Sequence, residues 1–257
     1  MKNEQLLRTM GDVDERFIAE AAPGPKRHRN GAWVKWAAAV CACLAVCAAV
    51  VLPRLERGSR LPRWIHLSKE TTATVEVADG ELPPYGAKNC LVYFSEEEMF
   101  AMEDMYIFHG TVTDITNLKI DFNGEQEVFC VVTIQVEKVF KGDIPVGEPI
   151  RMLVCCPINP DGRPTAEDHG VIAQVKVGME GIFMPVICDE NAIWGENGAT
   201  LIMSDVAQCV LGDGVRWVFL ETDRGLTYLS PAYPGARGSN TLDDIEVYVV
   251  RMLNRHL

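Results

Sequence analysis

Nine cysteines are the residues of this sequence best suited to bind a soft metal ion or to form disulfide bonds. Three of them, Cys41, Cys43 and Cys47, lie in an apolar stretch, where cysteine behaves as a small hydrophobic side chain. The other six are Cys90, Cys130, Cys155, Cys156, Cys188 and Cys209. Because they form no Cys-x-x-Cys pair, their spacing does not predict a zinc site. Apolar, strand-like surroundings favour buried thiols for most of them, and an extracytoplasmic location would also permit disulfides.

Five histidines and one acidic loop are the other candidates for metal binding or acid–base catalysis. The histidines form no His-Glu-x-x-His pattern, and His109, in a strand-like run, is expected to be a hydrogen-bonded barrel residue. The loop carries Asp161, Glu167, Asp168 and His169 without the spacing of an EF-hand, which favours a solvated loop. The sequence also lacks a nucleophile elbow, a dinucleotide fingerprint and a phosphate-binding loop. We therefore expect no enzymatic activity, no cofactor and no metal ion.

Charge is unevenly distributed along the 257 residues. Residues 1–35 carry seven Lys/Arg and five Asp/Glu, whereas residues 68–257 carry 13 and 30. The whole chain has a net charge of -12, and an acidic protein repels phosphates, so nucleic acid is not an expected partner. The composition, 48% hydrophobic and 23% charged, excludes a disordered or collagen-like chain.

An apolar stretch separates these two regions. Residues 32–52 include Lys35 as their only charged side chain, and 21 residues meet the need for about 20 in a helix that crosses a bilayer. Lys35, near one end, can extend to the headgroups, and Trp33 and Trp36 are placed as interfacial side chains. The alternatives are a buried core helix, which would normally have a polar face, or a signal peptide, which would begin nearer the N-terminus. The sequence therefore predicts a single transmembrane helix over 32–52.

The orientation of this span follows from what flanks it. Counting basic residues does not decide it, because four precede the uncharged run that begins at Trp36, Lys35 among them, and five follow it closely. The tail, residues 1–31, is short, and the region after the span has the composition of a folded domain. We therefore expect a cytoplasmic N-terminus, a juxtamembrane linker over 53–88 and an extracytoplasmic domain over 89–257.

The tail contains an amphipathic pattern. Its apolar residues recur at helical spacing, at Leu6, Met10, Val13, Phe17 and Ala21. An isolated helix this short is marginal in water, so it needs a surface on which to lie. Amphipathicity alone fits a docking helix for a cytoplasmic partner and a membrane-surface helix equally well.

The order of these segments resembles a known class of bacterial proteins. The strings LLRTMGDVDERFIAEAAP, KRHR and WVKWAAAVCACLAV are similar to the start of single-pass membrane proteins of the anti-sigma-factor-like kind. The resemblance implies that a sigma factor is the cytoplasmic partner and that Asp12, Val13, Asp14, Phe17 and Ile18 face it. Together with the apolar positions before them, the candidate partner-binding residues are Leu6, Met10, Asp12, Val13, Asp14, Phe17 and Ile18.

The C-terminal domain is predicted to be mainly β with flanking helices. Ser95 and Glu98 have capping-box spacing before a helix over 96–105, and Thr241 is placed to cap a helix at the C-terminus. Asn123-Gly124 is a strong hairpin turn. The predicted strands are 106–115, 128–140, 150–155, 171–177, 181–187, 200–203, 215–221 and 226–229. Short strands with turns between them predict a sheet that closes or nearly closes.

Within this domain, GTVTDI, TIQVEKVFKGD, GEPIRMLV and VGMEGIFMPV resemble the netrin-like, or tissue-inhibitor-of-metalloproteinase, type of OB barrel. The resemblance implies a partly closed, OB-like barrel. It does not imply protease inhibition, because the N-terminal inhibitory cysteine of the eukaryotic inhibitors has no counterpart here. OB barrels host many unrelated functions.

These patterns lead to one expected function and two alternatives. We expect a non-enzymatic membrane protein that senses or signals through an extracytoplasmic domain and a cytoplasmic docking helix. The first alternative is an extracytoplasmic surface-binding module without a cytoplasmic partner. The second is a cell-wall enzyme, which the absence of a convergent acid–base or nucleophile set disfavours.

Overall fold

The computed structural model describes residues 61–78, 94–159 and 170–255. These residues all belong to one folding unit, Gly58–Leu257. None of the helices in these three ranges is long and apolar enough to span a bilayer. The span expected over 32–52 and the amphipathic tail helix lie outside the described residues.

The described fold is mainly β, as the sequence predicts, with two helices. The helices are α1, Glu96–Ala101, and α2, Leu242–Leu253. The strands are β1 Thr74–Val77, β2 Ile107–Phe122, β3 Glu125–Lys141, β4 Pro149–Val154, β5 Glu180–Phe183, β6 Val186–Ile187, β7 Ile193–Glu196, β8 Ala199–Ile202, β9 Cys209–Leu211, β10 Val218–Thr222 and β11 Gly225–Thr227. Short 3-10 turns connect several of them.

A long hairpin, β2 and β3, is the centre of the sheet. Its turn is the predicted Asn123-Gly124, and both residues have positive φ, 55° and 98°. Asparagine and glycine tolerate this backbone conformation better than other residues, which explains why the chain reverses here. The turn sets the register that pairs Phe122 with Glu125, and the two strands then pair over almost their whole length.

The main sheet curls into a half-barrel. Its strand order is β11-β10-β5-β2-β3-β4-β9-β6, with β1 pairing separately along β2. An isolated bridge between Met105 and Val186 brings the last strand of this path back to the residues that precede β2. The Tyr106 amide also donates to the Pro185 carbonyl at 2.8 Å. The curl therefore gives the sheet an inner and an outer side, each of which buries apolar residues.

Two hydrophobic cores result. The larger one lies between the sheet and the two helices and includes Phe108, Phe183, Phe219 and Tyr248. The smaller one lies under the β7–β8 hairpin and the N-terminal residues of the described domain. Its buried members are Ile65, Ala73, Val75, Leu118, Ile120, Phe122, Phe129, Val131, Leu153, Ala199, Leu201, Val206 and Ala207. The smaller core is thus covered partly by residues that precede the β2–β3 hairpin in the chain, among them Ile65, Ala73 and Val75.

Both predicted helix caps are confirmed. Ser95 and Glu98 form a reciprocal capping box at the start of α1, and Thr241 and Asp244 form one at the start of α2. Helix α1 is shorter than the sequence suggested, since Met102 has an extended ψ of 120°. The Lys141 ammonium donates to the carbonyls of Phe100 and Met102 and so satisfies groups that the helix leaves unpaired.

Several segments differ from the sequence interpretation, and strands β7 and β9 have no counterpart among the predicted strands. The prediction of a strand over 171–177 is wrong, because Ile172–Gln174 forms a 3-10 turn whose Ile172 amide donates to the Gly214 carbonyl. In the segment expected to be linker, Thr74–Val77 forms β1 and pairs with residues Leu118 to Asp121 of β2. The folded domain therefore includes residues that lie much closer to the apolar stretch than position 89.

Candidate functional site

The partner-binding residues expected from the sequence lie outside the described residues. They are Leu6, Met10, Asp12, Val13, Asp14, Phe17 and Ile18. The described segment nearest to them along the chain is residues 61–78, which we call the strap. The strap connects the folded domain to the residues N-terminal of it.

One carboxylate holds the first part of the strap. Oδ2 of Asp205, in the 3-10 turn Met203–Asp205, accepts hydrogen bonds from the Ser68 amide at 2.8 Å and the Ser68 hydroxyl at 2.7 Å. It also accepts one from the Thr71 hydroxyl at 2.5 Å. Hydrogen bonds to an ionised acceptor are stronger than those between neutral groups. We call this arrangement the Asp205 clasp.

Strand β8 holds the middle of the strap. The amides of Thr72 and Ala73 both donate to the Thr200 carbonyl at 2.9 Å. In return, the Thr200 amide donates to the Thr72 hydroxyl, and the Ile202 amide donates to the Thr71 hydroxyl. These contacts are followed by the pairing of β1 with β2, so the strap is bonded to the domain along most of its length.

Apolar side chains anchor the strap as well. Ile65 and Val75 are 7% and 6% exposed and belong to the smaller core. Trp64 packs against the same core, and the Arg151 guanidinium lies 5.2 Å from its ring centroid, within the range of a cation–π contact. Full burial of one aliphatic side chain contributes about 1.5–3 kcal/mol to the stability of the fold. These apolar contacts and the Asp205 clasp therefore both hold the strap on the domain.

The opposite side of the strap faces solvent. Arg63, His66 and Lys69 are exposed, and Leu67 is 38% exposed. From Leu61 to Lys69 the chain contains two basic and no acidic residues, and Glu70 follows. Residues 61–69 of the strap therefore present a small basic and apolar surface, next to the exposed Glu70, on a domain that is strongly acidic overall.

A second cluster lies where α2 crosses the sheet. His109 on β2 contacts Glu246 on α2 through Nδ1 at 2.8 Å, and Lys138 on β3 donates to the other oxygen of Glu246 at 2.5 Å. Burial raises the pKa of Glu246, but the hydrogen bonds from Lys138 and His109 outweigh it and leave the pKa below its ordinary value. Nε2 of His109 is buried without a hydrogen bond and lies 3.9 Å from Glu180. The expectation of a hydrogen-bonded His109 is thus met at one ring nitrogen.

This cluster can hold a charge or a proton at a fixed position. The carboxylate of Glu246 orients the imidazole, as carboxylates do in acid–base sites and around metal-bound histidines. Glu180, whose side chain is more than half exposed, lies near the other ring nitrogen.

The described cysteines are buried or half-buried thiols. Cys130, Cys155, Cys156, Cys188 and Cys209 are all free. Burial, with a smaller contribution from Cys188, raises the pKa of Cys155 to about 12. Burial and then the neighbouring Asp189 raise the pKa of Cys188 to about 12. These thiols are protonated near neutral pH and are poor nucleophiles and poor metal ligands.

Two features near the β2–β3 turn could hold small polar species. Glu125, Glu127 and Glu196 offer carboxylate oxygens that all lie within 4.8 Å of one another. A groove of about 210 Å³ is lined by Thr74, Glu76, Lys119, Asp121 and Gln126 of β1, β2 and β3. The acidic loop that the sequence singled out, Asp161 to His169, lies outside the described residues.

Sequence reasoning missed the clasp because its parts are far apart in the chain. Ser68 and Asp205 are separated by 137 positions, and the local pattern of Ser and Thr around Ser68 is equally typical of a solvated linker. A comparison of the chain with protein-family models finds no match, and a comparison with curated proteins finds none either. The function must therefore be argued from the residues themselves.

Proposed function

We propose that this chain is a non-enzymatic, single-pass membrane protein that senses or signals, with a cytoplasmic N-terminus and an extracytoplasmic C-terminal domain. The apolar residues 32–52 would form the span. The observation that supports this proposal best is the strap, because it makes a folded domain begin within about ten residues of the apolar stretch. A domain attached so closely to a span can transmit its position or its occupancy to the membrane.

The domain itself is proposed to be OB-like. Strands β2, β3, β4 and β9 form a ring with the run 180–187, in which β5 pairs with β2 and β6 pairs with β9. The bridge from Met105 to Val186 brings β6 back to the residues that precede β2, which favours a partly closed barrel. OB domains are five-stranded, partly open barrels, so the arrangement supports the resemblance that the sequence suggested. Since such barrels bind very different ligands, the ligand does not follow from the fold.

The proposed signal passes to the cytoplasmic side through the tail. Leu6, Met10, Val13 and Phe17 would form the apolar stripe of a docking helix, and a sigma factor is the proposed partner. The support for this part is the sequence pattern and its resemblance to anti-sigma-factor-like proteins. A short amphipathic helix gains stability when its apolar face is covered by a partner.

Labelling of intact cells tests the topology. Val146, which is 61% exposed, and Asn3 are each replaced by Cys, and the cells are treated with a membrane-impermeant thiol reagent. The proposal predicts labelling of Val146→Cys and not of Asn3→Cys until the cells are lysed. Wild-type protein treated in parallel gives the background from native thiols. Equal labelling of both variants in intact cells, or a protein found wholly in the soluble fraction, would refute the proposal.

A second candidate function is surface binding without a cytoplasmic partner. The observation that favours it is the polar groove of β1, β2 and β3, in which Lys119 and Asp121 present opposite charges side by side. Its volume of about 210 Å³ is below the 300 Å³ at which typical small-molecule pockets begin, which suits a small polar group. This candidate would be favoured if the wild-type protein bound a cell-wall fraction, if Lys119→Gln abolished that binding, and if no protein bound to the tail.

A further inference from the structure

We infer that the exposed face of the strap, formed by Arg63, Leu67 and Lys69, is a contact surface for anionic lipid headgroups. This inference rests on the proposed membrane span and names the surface that the domain turns toward the bilayer. Arg63 and Lys69 supply positive charge, and Leu67, 38% exposed, supplies an apolar side chain between them. A combination of basic and apolar side chains is typical of segments that lie at a membrane interface.

The length of the chain keeps this face near the bilayer. Eight residues, 53–60, connect the end of the apolar stretch to the first described residue of the strap. Even a fully extended chain of this length reaches only about 30 Å. Three of the eight residues are arginines and one, Glu56, is acidic. The connection therefore has a net positive charge, which favours its approach to an anionic surface.

The charge of the domain gives this contact a direction. Residues 68–257 carry 13 Lys/Arg against 30 Asp/Glu, a net charge of -17, and such a domain is repelled by an anionic surface. Residues Leu61 to Lys69, which lie next to the proposed span, carry two basic side chains and no acidic one. The membrane surface repels the acidic remainder of the domain and attracts the basic face of the strap, and both effects turn this face toward the membrane. The effect is strongest within a Debye length of the surface, about 8 Å at physiological ionic strength.

The strap holds this face in a fixed conformation. Ser68, between Leu67 and Lys69, is bonded to Asp205 through both its amide and its hydroxyl, and Ile65 is buried in the smaller core. Ile65 and Ser68 thus point into the domain, whereas His66, Leu67 and Lys69 are exposed. Because the basic face is already ordered before it contacts lipid, little conformational entropy is lost when it binds the headgroups.

Quenching by headgroup-labelled lipids tests the contact in the full-length protein. Leu67→Cys is labelled with a fluorophore and incorporated into nanodiscs that contain nitroxide-headgroup lipid, in phosphatidylglycerol-rich or pure phosphatidylcholine membranes. Val177→Cys is the matched control, since Val177 is also exposed and also has an exposed lysine, Lys176, within two positions of it. We expect quenching at position 67 in the anionic membrane, little in phosphatidylcholine or at high salt, and none at position 177. Labelled wild-type protein gives the background from native thiols.

Charge variants then test the residues. In the Leu67→Cys background, Arg63→Gln with Lys69→Gln should weaken the contact about thirtyfold, the effect expected for two basic residues near an anionic surface. The matched pair Lys176→Gln with Arg224→Gln removes two exposed basic residues elsewhere and should leave quenching unchanged. Equal quenching at positions 67 and 177, or quenching that is the same with and without anionic lipid, would overturn the inference.

The two proposals fail in distinguishable ways. If the protein is removed from native membranes by an alkaline carbonate wash, the membrane span is refuted, and the contact surface with it. If the protein resists the wash but the label at position 67 is not quenched, the span stands and only the contact surface is refuted. Circular dichroism of each charge variant checks that the fold is intact, as expected for exposed side chains.

Discussion

Ser68 and Asp205 are joined twice, because Oδ2 of the aspartate accepts hydrogen bonds from both the amide and the hydroxyl of the serine. The same oxygen accepts a third bond from Thr71. A single carboxylate therefore connects the most N-terminal described segment to the turn that leads into β9, a strand of the half-barrel. Any displacement of the strap must break this contact or be passed on to the barrel.

The Asp205 clasp should contribute measurably to stability. Asp205→Ala removes the acceptor for three donors, and hydrogen bonds to charged groups contribute about 1.5–3 kcal/mol each in favourable cases. Because the residue is only half-buried and water can replace part of what is lost, we expect the free energy of unfolding to fall by about 2 kcal/mol. Chemical denaturation measures it, and limited proteolysis should show new cleavage in the strap.

Asp223→Ala is the control for this prediction. Asp223 is exposed on the turn between β10 and β11, and a surface substitution there should change stability by less than about 0.5 kcal/mol. If Asp205→Ala were as stable as Asp223→Ala and equally resistant to protease, the clasp would not hold the strap.

Gly110 is the position of the sheet where a side chain fits least. A Cβ at this residue would overlap the Gln135 carbonyl oxygen and lie 2.8 Å from Cγ2 of Ile134, both on β3. Gly110→Ala should therefore force β2 and β3 apart and lower the free energy of unfolding by about 3 kcal/mol. Gly195 on β7 is the matched control, because its nearest neighbour would be 3.9 Å away. Thermal or chemical denaturation that ranked Gly195→Ala below Gly110→Ala would contradict the register of this hairpin.

The stability that Glu246 provides should depend on pH. Its pKa in the folded state is lowered, so its contribution is complete above the pKa of the unfolded chain, about 4.3, and is lost as the pH falls through the folded value. Glu246→Gln should therefore destabilise the protein at pH 7 by about 1 kcal/mol, and the difference from wild type should shrink toward pH 3. Denaturation curves at both pH values measure it. A difference that grew on acidification would show that the carboxylate is not stabilised by Lys138 and His109.

The buried thiols should be unreactive in the folded protein. Burial holds the pKa of Cys155 and Cys188 at about 12, so almost no thiolate is present at pH 7.5. Peptide mapping after brief treatment with iodoacetamide should find both residues unmodified in native protein and modified in guanidinium chloride. Val177→Cys, with an exposed side chain, provides the positive control. Rapid native modification of Cys155 would mean that the smaller core opens on the timescale of the reaction.

Sequence reasoning succeeded where a few neighbouring residues decide the structure. The Asn123-Gly124 turn and the Ser95–Glu98 capping box each depend on side chains within three positions of one another, and both are confirmed. Patterns of this range are set by local backbone geometry and hydrogen bonding. They are enough to predict a mainly β domain with a helix at its C-terminus.

Predictions from the sequence failed where contacts between residues far apart in the chain determine the structure. The β-branched run at 171–177 has strand propensity, but Ile172 and Val175 are drawn into the larger core and the Ile172 amide pairs with Gly214. The contact of His109 with Glu246 joins residues 137 positions apart, and no local signal indicates it. The sequence predicts a linker at the strap for the same reason, since the polar residues of the strap gain their partners only in the folded domain.

The tail prediction concerns the proposed docking helix. Phe17 belongs to the apolar stripe formed by Leu6, Met10, Val13, Phe17 and Ala21, and Phe17→Asp places a charge in this stripe without changing the proposed span. Burying an unpaired carboxylate against a partner costs several kcal/mol. A docking helix should therefore lose its partner, whereas a tail that only lies on the membrane would leave any bound protein unaffected.

Affinity purification of the full-length protein from mild detergent tests this difference. We expect Phe17→Asp to remove a cytoplasmic protein that co-purifies with wild type, and mass spectrometry to identify that protein as a sigma factor. Glu4→Ala, on the polar side of the helix, should retain it, because this side chain is not part of the apolar stripe. Full retention in Phe17→Asp, or the absence of a co-purifying protein in wild type, would exclude the docking role. The polar groove of β1, β2 and β3 would then be the better basis for a function, since it belongs to the domain and needs no cytoplasmic partner.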